Sequence, residues 1–512
     1  MSQSARRKSE GAGAQPQGAQ VAHGIELRIE QRPSEGFREG FREGFREGFR
    51  ERSRAAAADP SLRAGFRGAM DYLQGKRLAQ FPDPAELAEL RALGEAIRRR
   101  SLSRLPELLE ELERNLQRNG IQVHWAESAA QASRVIVDIA REHRATLVVK
   151  GKSMVSEEIG LNHALASEGI EAIETDMGEY IVQLAGETPS HIIMPAIHKT
   201  KQQIAALFEA KLPGVGYTEN VDELIRIGRE VLRRKFAEAG IGVSGVNFAV
   251  AETGTLCLVE NEGNGRMCTT LPKVHVAVTG IEKVVEKLEH VPPLFSLLTR
   301  SATGQAVTTY LNLISGPRKP GERDGPEEVH LVLVDNGRSQ AYADPQLRAT
   351  LQCIRCGACI NHCPVYARIG GHAYGTTYPG PIGAIVSPHL LGLGATHELA
   401  TASTLCGACS EVCPVRIPIT DLLIRLRNEA QAKAGRASAL RGAGEARSRR
   451  VSALFRGWAT VYRHPLLYRC ATWLMSRGRR FTPTRQGAWT GFRTPLVPAR
   501  RRLRDLVGDR SE

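Results

Sequence analysis

Seven of the ten cysteines fall between positions 353 and 413, and their spacing constrains this chain more than any other feature. They read Cys353-x2-Cys356-x2-Cys359-x3-Cys363-Pro364 and Cys406-x2-Cys409-x3-Cys413-Pro414. The first thirty-two residues carry no apolar leader, so a secreted disulfide framework is not expected. The thiols are read instead as metal ligands in a reducing, cytoplasmic setting. Zinc favours separated pairs of ligands. The x2, x2, x3 run ending in proline wraps three thiolates around one iron–sulphur cube and sends the fourth to a neighbouring cube. On that crossover Cys353, Cys356, Cys359 and Cys413 hold a first cluster, a complete 4Fe-4S site. Cys363, Cys406 and Cys409 hold a second. A full motif would place its missing ligand three positions before Cys406, where this chain has Ser403. The second cluster is therefore expected as 3Fe-4S, or as 4Fe-4S with Ser403, water or a partner group on one iron. A small domain over about 346–430 follows, held by iron through these cysteines rather than by a large core.

The remainder of the 512 residues, 42% hydrophobic overall, is long enough for a second folded unit with an ordinary core. From Gly120 to Asp335 short apolar runs alternate with amphipathic segments, which predicts an α/β domain around a largely parallel sheet. Strands are expected at 146–149, 170–174, 191–194, 246–251, 256–260, 274–278 and 329–334, with a hairpin across Thr253-Gly254. Leu105, Leu108, Leu109, Leu112 and Leu116 keep helical period between Pro106 and Gly120.

Two motifs fail on context. Gly240-Ile-Gly242-Val-Ser-Gly245 matches a dinucleotide fingerprint but follows a helical segment, so it reads as a helix cap and turn into a strand. Gly151-Lys152-Ser153 lacks the upstream glycine of a phosphate loop, position 146 being Thr146. Polar loops at strand ends remain, and Lys150, Lys152, Ser153 and Lys199 form a candidate anion site there, against the alternative of capping and interdomain contacts. No catalytic residue is assigned. His362 is read as a local hydrogen-bonder, and Cys257, Cys268 and Cys470 as small buried hydrophobes.

The net charge of +14 lies wholly in the tail, where residues 436–512 hold eighteen arginines and four acids. Its interleaved Trp458, Tyr462, Leu466, Leu467, Tyr468 and Trp473 suit docking to a protein partner, and no nucleic acid is expected. Residues 1–59 read as a low-complexity extension with a disordered start. Its fourfold Glu-Gly-Phe-Arg repeat aligns Phe37, Phe41, Phe45 and Phe49 on a weak helical stripe. No apolar run is long enough for a membrane span. The expected division is 1–59, 60–345, 346–430 and a basic segment 431–512.

Lys150-Gly-Lys-Ser-Met154, Glu174-Thr-Asp-Met-Gly-Glu-Tyr180, Met194-Pro-Ala-Ile-His-Lys199, Ala251-Glu-Thr-Gly-Thr255 and Asp335-Asn-Gly-Arg-Ser339 appear together with the cysteine runs. Gly370-Gly-His-Ala-Tyr374 and Tyr378-Pro-Gly-Pro-Ile-Gly383 join those runs. In this combination the chain resembles the lactate-utilisation iron–sulphur proteins of the LutB type, from about residue 60 through Gly487-Ala-Trp489 to the C-terminus. The resemblance implies a LUD domain of the sugar-isomerase and CoA-transferase-like α/β fold, then a small ferredoxin-like two-cluster domain and the basic extension. It further implies an electron-carrying subunit of a cytoplasmic complex that oxidises L-lactate to pyruvate, with a cysteine-rich CCG-domain subunit and a second LUD-domain protein as partners. The competing readings are a LUD domain that itself acts on a hydroxy acid or acyl group, and an iron–sulphur redox sensor.

Overall fold

The computed structural model describes residues 48–441, 445–487, 490 and 494–508. The expectations for the first thirty-four residues, for Phe37, Phe41 and Phe45, and for Ala488 and Trp489 fall outside them.

Six parallel strands form the central sheet: β1 (Ile121–Ala126), β2 (Leu147–Lys150), β3 (Glu171–Glu174), β4 (Ile241–Gly245), β7 (Val274–Gly280) and β10 (Glu328–Val334). Their order is β1-β10-β7-β4-β2-β3. Every residue of β7 is buried at the sheet centre, and the strand is apolar but for His275 and Thr279. A smaller mixed sheet, β8-β5-β6-β9, comprises β5 (Phe248–Val250), β6 (Thr255–Glu260), β8 (Val284–Val285) and β9 (Tyr310–Ile314). β5 and β6 are the expected hairpin, turning through Gly254 at φ 61°.

Three readings of the sequence need correction. The segment Gly240–Gly245 is no cap and turn: β4 runs straight through it. A Cβ on Gly242 would lie 1.9 Å from the Cys268 carbonyl oxygen, so glycine serves close packing inside the sheet and hides a strand behind a loop-like composition. Residues 191–194 form a loop rather than a strand. There His191 Nδ1 accepts the N–H groups of Ile193 and Met194, both at 3.1 Å, and folds the backbone around its own ring. β1 and β9 went unread because both are edge strands with little buried apolar surface: only the two ends of β1, and no residue of β9, are buried. The leucine helix Leu105–Arg118 forms as expected, with all five leucines buried.

The helices Phe49–Ala58, Pro60–Gln80 and Pro84–Ser103 run across the cysteine segment. Residues 49–58, read as extension, are helical: the Phe49 ring lies tilted at 5.9 Å from that of Tyr374 and Arg52 donates to the Ala373 carbonyl. Phe66 meets Tyr366 edge-on at 5.4 Å, and Arg416 donates to the Ala88 carbonyl at 2.7 Å. Beyond the cysteines, helices Ile419–Arg441, Glu445–Arg463 and Pro465–Arg477 carry the basic segment. Cys470 lies exposed on the last of these, not buried. Cys257 and Cys268 are fully buried. Among the described residues no helix is long and apolar enough to cross a membrane.

Candidate metal centre

The two cysteine runs fold into matching loops. Arg355 and Leu405 each take a left-handed conformation, at φ 61° and 56°. Gly357 and Gly407, at φ 77° and 87°, then start the one-turn helices Ala358–Asn361 and Ala408–Glu411. In the first loop the Arg355 N–H donates to Cys353 Sγ at 3.3 Å. In the second the Leu405 N–H donates to Ser403 Oγ at 3.1 Å. Ser403 thus occupies in its loop the place Cys353 occupies in the first. The proline turns repeat as well: Cys363 Sγ accepts the Tyr366 N–H and Cys413 Sγ the Ile417 N–H, each at 3.4 Å.

The thiols sort electrostatically into two groups that mix the runs. Burial, then the neighbouring Cys353, Cys356, Cys413 and Cys409, raise Cys359 well above an ordinary thiol. Burial likewise pushes Cys356 up to about 12 and Cys413 up to about 11. Burial carries Cys363 to about 11, with Cys409 and Cys406 adding to it. Cys406 alone is exposed, and hydrogen bonds from Thr404 and the Ala408 backbone lower it. Cys353, Cys356 and Cys413 thus act on Cys359, and Cys409 and Cys406 act on Cys363, while Cys409 also reaches Cys359 across the two sets.

Buried thiols raised in this way cannot ionise without a cation among them, and none of the seven is in a disulfide. Tetrahedral zinc, with bonds of about 2.3 Å, would need sulphurs about 3.8 Å apart. Among the described residues no three of these thiols bring their sulphurs within 4.8 Å of one another. The wider spacing and the backbone N–H groups aimed at sulphur fit iron–sulphur cubes. Cations crowd the first group, whereas beside the second Arg427 donates to the Ser403 carbonyl at 2.9 Å. Arg91 donates to the Cys413 carbonyl at 3.0 Å and Lys283 to that of Cys353 at 3.5 Å. Arg98, fully buried, donates to the Gln352 and Leu351 carbonyls just ahead of Cys353. Arg77 and Arg355 complete this set, both acting electrostatically on its thiols. The Cys363 shift comes from burial, backbone N–H groups, Cys409 and Cys406, and that of Cys409 from burial, hydrogen bonds of Ser410, and Cys406.

The LUD-like sheet braces this centre through residues the sequence did not single out. His191, which burial lowers to about 4, meets Asn361 Oδ1 through Nε2 at 2.9 Å. Gly371 seats the linking segment so tightly that a Cβ would lie 1.7 Å from the Ser190 carbonyl oxygen. Tyr378 donates to Glu158 Oε2 at 2.7 Å, and Glu158 in turn holds Arg338. No local pattern marks these contacts, since they join segments more than 150 residues apart. His362 hydrogen-bonds locally, to the Ala358 carbonyl at 2.9 Å.

Each lysine of the candidate anion site is already engaged. Lys150, fully buried, donates to Glu174 at 2.6 Å, Asn162 at 2.7 Å and Glu157 at 3.2 Å. Lys152 reaches the Ile193 carbonyl and Asp176, and Lys199 reaches Glu187. Ser153 caps the helix Met154–Glu158 through the Ser156 N–H. An added anion would meet carboxylates beside every one of these ammonium groups, so the geometry speaks against that site.

Three family descriptions match the chain: LUD domain over residues 109–334, 4Fe-4S dicluster domain over 349–417, and Lactate utilisation protein B, C-terminal, over 425–512. A Lactate utilization protein B from Bacillus subtilis is 47% identical over 377 residues, covering 73% of this chain and 78% of that protein. Its counterpart from Bacillus velezensis is 42% identical over 461 residues, covering 88% and 94%. That from Shouchella clausii is 42% identical over 461 residues, covering 87% and 94%. A solved DUF162 family protein from Deinococcus radiodurans overlays with a TM-score of 0.26 at 16% identity, over 45% of this chain and 98% of that one.

Proposed function

The chain belongs to the lactate utilisation protein B family, with a LUD domain, a 4Fe-4S dicluster domain and a role in lactate utilisation; from that premise we propose that it is the electron-transfer subunit of a cytoplasmic complex oxidising L-lactate to pyruvate. Its partners on this reading are a CCG-domain cysteine-rich subunit and a second LUD-domain protein. The observation that carries the proposal is the interleaving of two thiol sets drawn from both cysteine runs. Lactate loses two electrons and two protons, and two iron–sulphur clusters, when bound, supply one-electron steps that divide the oxidation. Cys353, Cys356, Cys359 and Cys413 bind the first, a 4Fe-4S cluster, and Cys363, Cys406 and Cys409 the second. Backbone N–H groups of Arg355, Tyr366 and Ile417 hold the sulphurs in orientation. Buried Tyr366 and Tyr374 exclude water beside Cys363. The five cations around the first set favour its more negative, reduced state. The reading in which the LUD domain itself takes a hydroxy acid is disfavoured by the carboxylates that occupy Lys150, Lys152 and Lys199.

Ser403 gives the test. An anaerobic preparation should contain two clusters, the second of which interconverts between 3Fe-4S and 4Fe-4S more readily than the first. Mild oxidation followed by paramagnetic resonance reads the conversion, and Ser403→Cys should suppress it. A protein that holds zinc and forms no cluster on reconstitution refutes the assignment. Equal iron loss in wild type and Ser403→Cys removes position 403 from the second site.

A further inference from the structure

We propose that His143, Glu328 and His330 form a second kind of metal site, a two-histidine, one-carboxylate site for a divalent ion of the zinc class, at the end of the sheet where β10 begins. Glu328 opens β10 and His330 lies two residues on, so both side chains project from the same face of the sheet. The helix Ala129–Glu142 packs across β1 and β10 and ends at His143. Glu328 Oε2 lies 3.6 Å from His143 Nε2 and 3.6 Å from His330 Nε2, and the three residues keep their ligand atoms within 4.8 Å of one another.

A zinc ion with bonds of about 2.0–2.1 Å separates tetrahedral ligand atoms by about 3.4 Å, so both separations from Glu328, at 3.6 Å, lie a few tenths of an ångström from that geometry. At 3.6 Å these contacts are too long for hydrogen bonds. His330 Nε2 is accordingly a buried nitrogen without a hydrogen-bond partner, on a residue 4% exposed. Buried polar atoms are rarely left so, and an ion at this point would satisfy it.

The surroundings fit a ligand as well. His124 Nε2 lies 3.1 Å from His330 Nδ1, with the two rings stacked at 5.3 Å. A ligating histidine ordinarily offers its other ring nitrogen to such a partner, which fixes tautomer and ring orientation. His143 and Glu328 are partly exposed, leaving an entry path and an open position for water. The other histidine–carboxylate group, Glu187, His198 and His372, differs in being satisfied without an ion. There Glu187 holds His198 at 2.6 Å and Lys199, Ser190 Oγ meets His198 Nδ1 at 2.7 Å, and His372 donates to the Thr188 carbonyl at 2.7 Å.

The test uses the full chain, prepared anaerobically with both clusters loaded so that no thiol set is open to zinc. After dialysis against a chelator, zinc chloride is added, retained metal is counted, and the zinc K-edge spectrum is recorded. One equivalent should remain, with nitrogen and oxygen neighbours at about 2.0–2.1 Å and no sulphur at about 2.3 Å. His143→Ala and Glu328→Gln alter partly exposed side chains, and each should weaken zinc retention at least tenfold with iron content unchanged. Absence of retained zinc in the wild type, sulphur in its first shell, or retention by both variants equal to that of the wild type would overturn the proposal.

Discussion

Replacing Arg338 with methionine probes the joint between the sheet and the cluster segment. Arg338 is 2% exposed, donates through both Nη atoms to Glu158 at 2.8 Å, and donates through Nε to Glu282 at 2.5 Å. Its loss leaves Glu158 with only Asn336 at 2.8 Å and Tyr378 at 2.7 Å, and leaves Glu282 with Arg355 at 3.5 Å. Stranding one partner of a buried ion pair costs about 3–5 kcal/mol, and here two carboxylates are stranded, so the upper end of that range applies. An unfolding entropy of about 2.1 cal/mol/K per residue over roughly 460 residues amounts to about 1 kcal/mol/K, which makes the fall in thermal midpoint about 5 °C. The pH dependence carries the sign. Arg338, opposing burial, holds Glu158 below the usual carboxylate range and Glu282 down to about 2. Their contribution is present above the unfolded value near 4.3 and is lost as pH falls through the depressed folded values. Without Arg338 burial raises both groups instead, so the deficit of the variant should be largest near neutrality and shrink toward pH 5. Anaerobic thermal scans at one fixed rate, at both pH values, measure this, and Glu158→Gln added to Arg338→Met should recover part of the loss. A deficit independent of pH, or one that Glu158→Gln deepens, would refute the account.

Glu179 is 3% exposed with neither oxygen hydrogen-bonded, and burial, then Glu174 and Asp176, raise it well above an ordinary carboxylate. A raised folded value gives stability that is full below about pH 4.3 and falls as pH rises through it, so Glu179→Gln should gain midpoint over wild type with rising pH; a constant difference contradicts this. Lys283→Met removes a buried cation beside the Cys353 carbonyl and should lower the first cluster's reduction potential by tens of millivolts in a resonance-monitored titration, leaving the second unmoved. Truncation after Ala434 removes Trp458, Tyr462 and Leu466, which stand 56–73% exposed among arginines. The truncated chain should keep its iron and lose co-purification with partner subunits, whereas the full chain should hold them at raised salt because apolar contact is unscreened. Retention of the partners by the truncated chain, with loss of DNA binding, would favour the sensor reading.

The sequence by itself determined the ligand chemistry, because cysteine spacing is a local property: three thiolates two residues apart and a fourth beside proline specify how one loop wraps a cube, and Ser403 reads as a vacancy in that same register. It also determined the parallel α/β domain, since apolar runs such as Val274–Gly280 are buried on both faces whatever follows them. Only the tertiary structure decided what the charged residues do. Lys150, Lys152 and Lys199 look like anion ligands along the chain, yet the fold turns Glu174, Asp176 and Glu187 onto them first. Arg338, Glu158 and Tyr378 converge from positions up to 220 residues apart, as do His191 and Asn361. A buried charge takes its meaning from the partner that compensates it, and that partner is chosen by packing rather than by neighbourhood in sequence. β4 shows the same division in the backbone: glycine at 242 signals a turn until the Cys268 carbonyl, brought against it by the fold, gives the reason no side chain fits there.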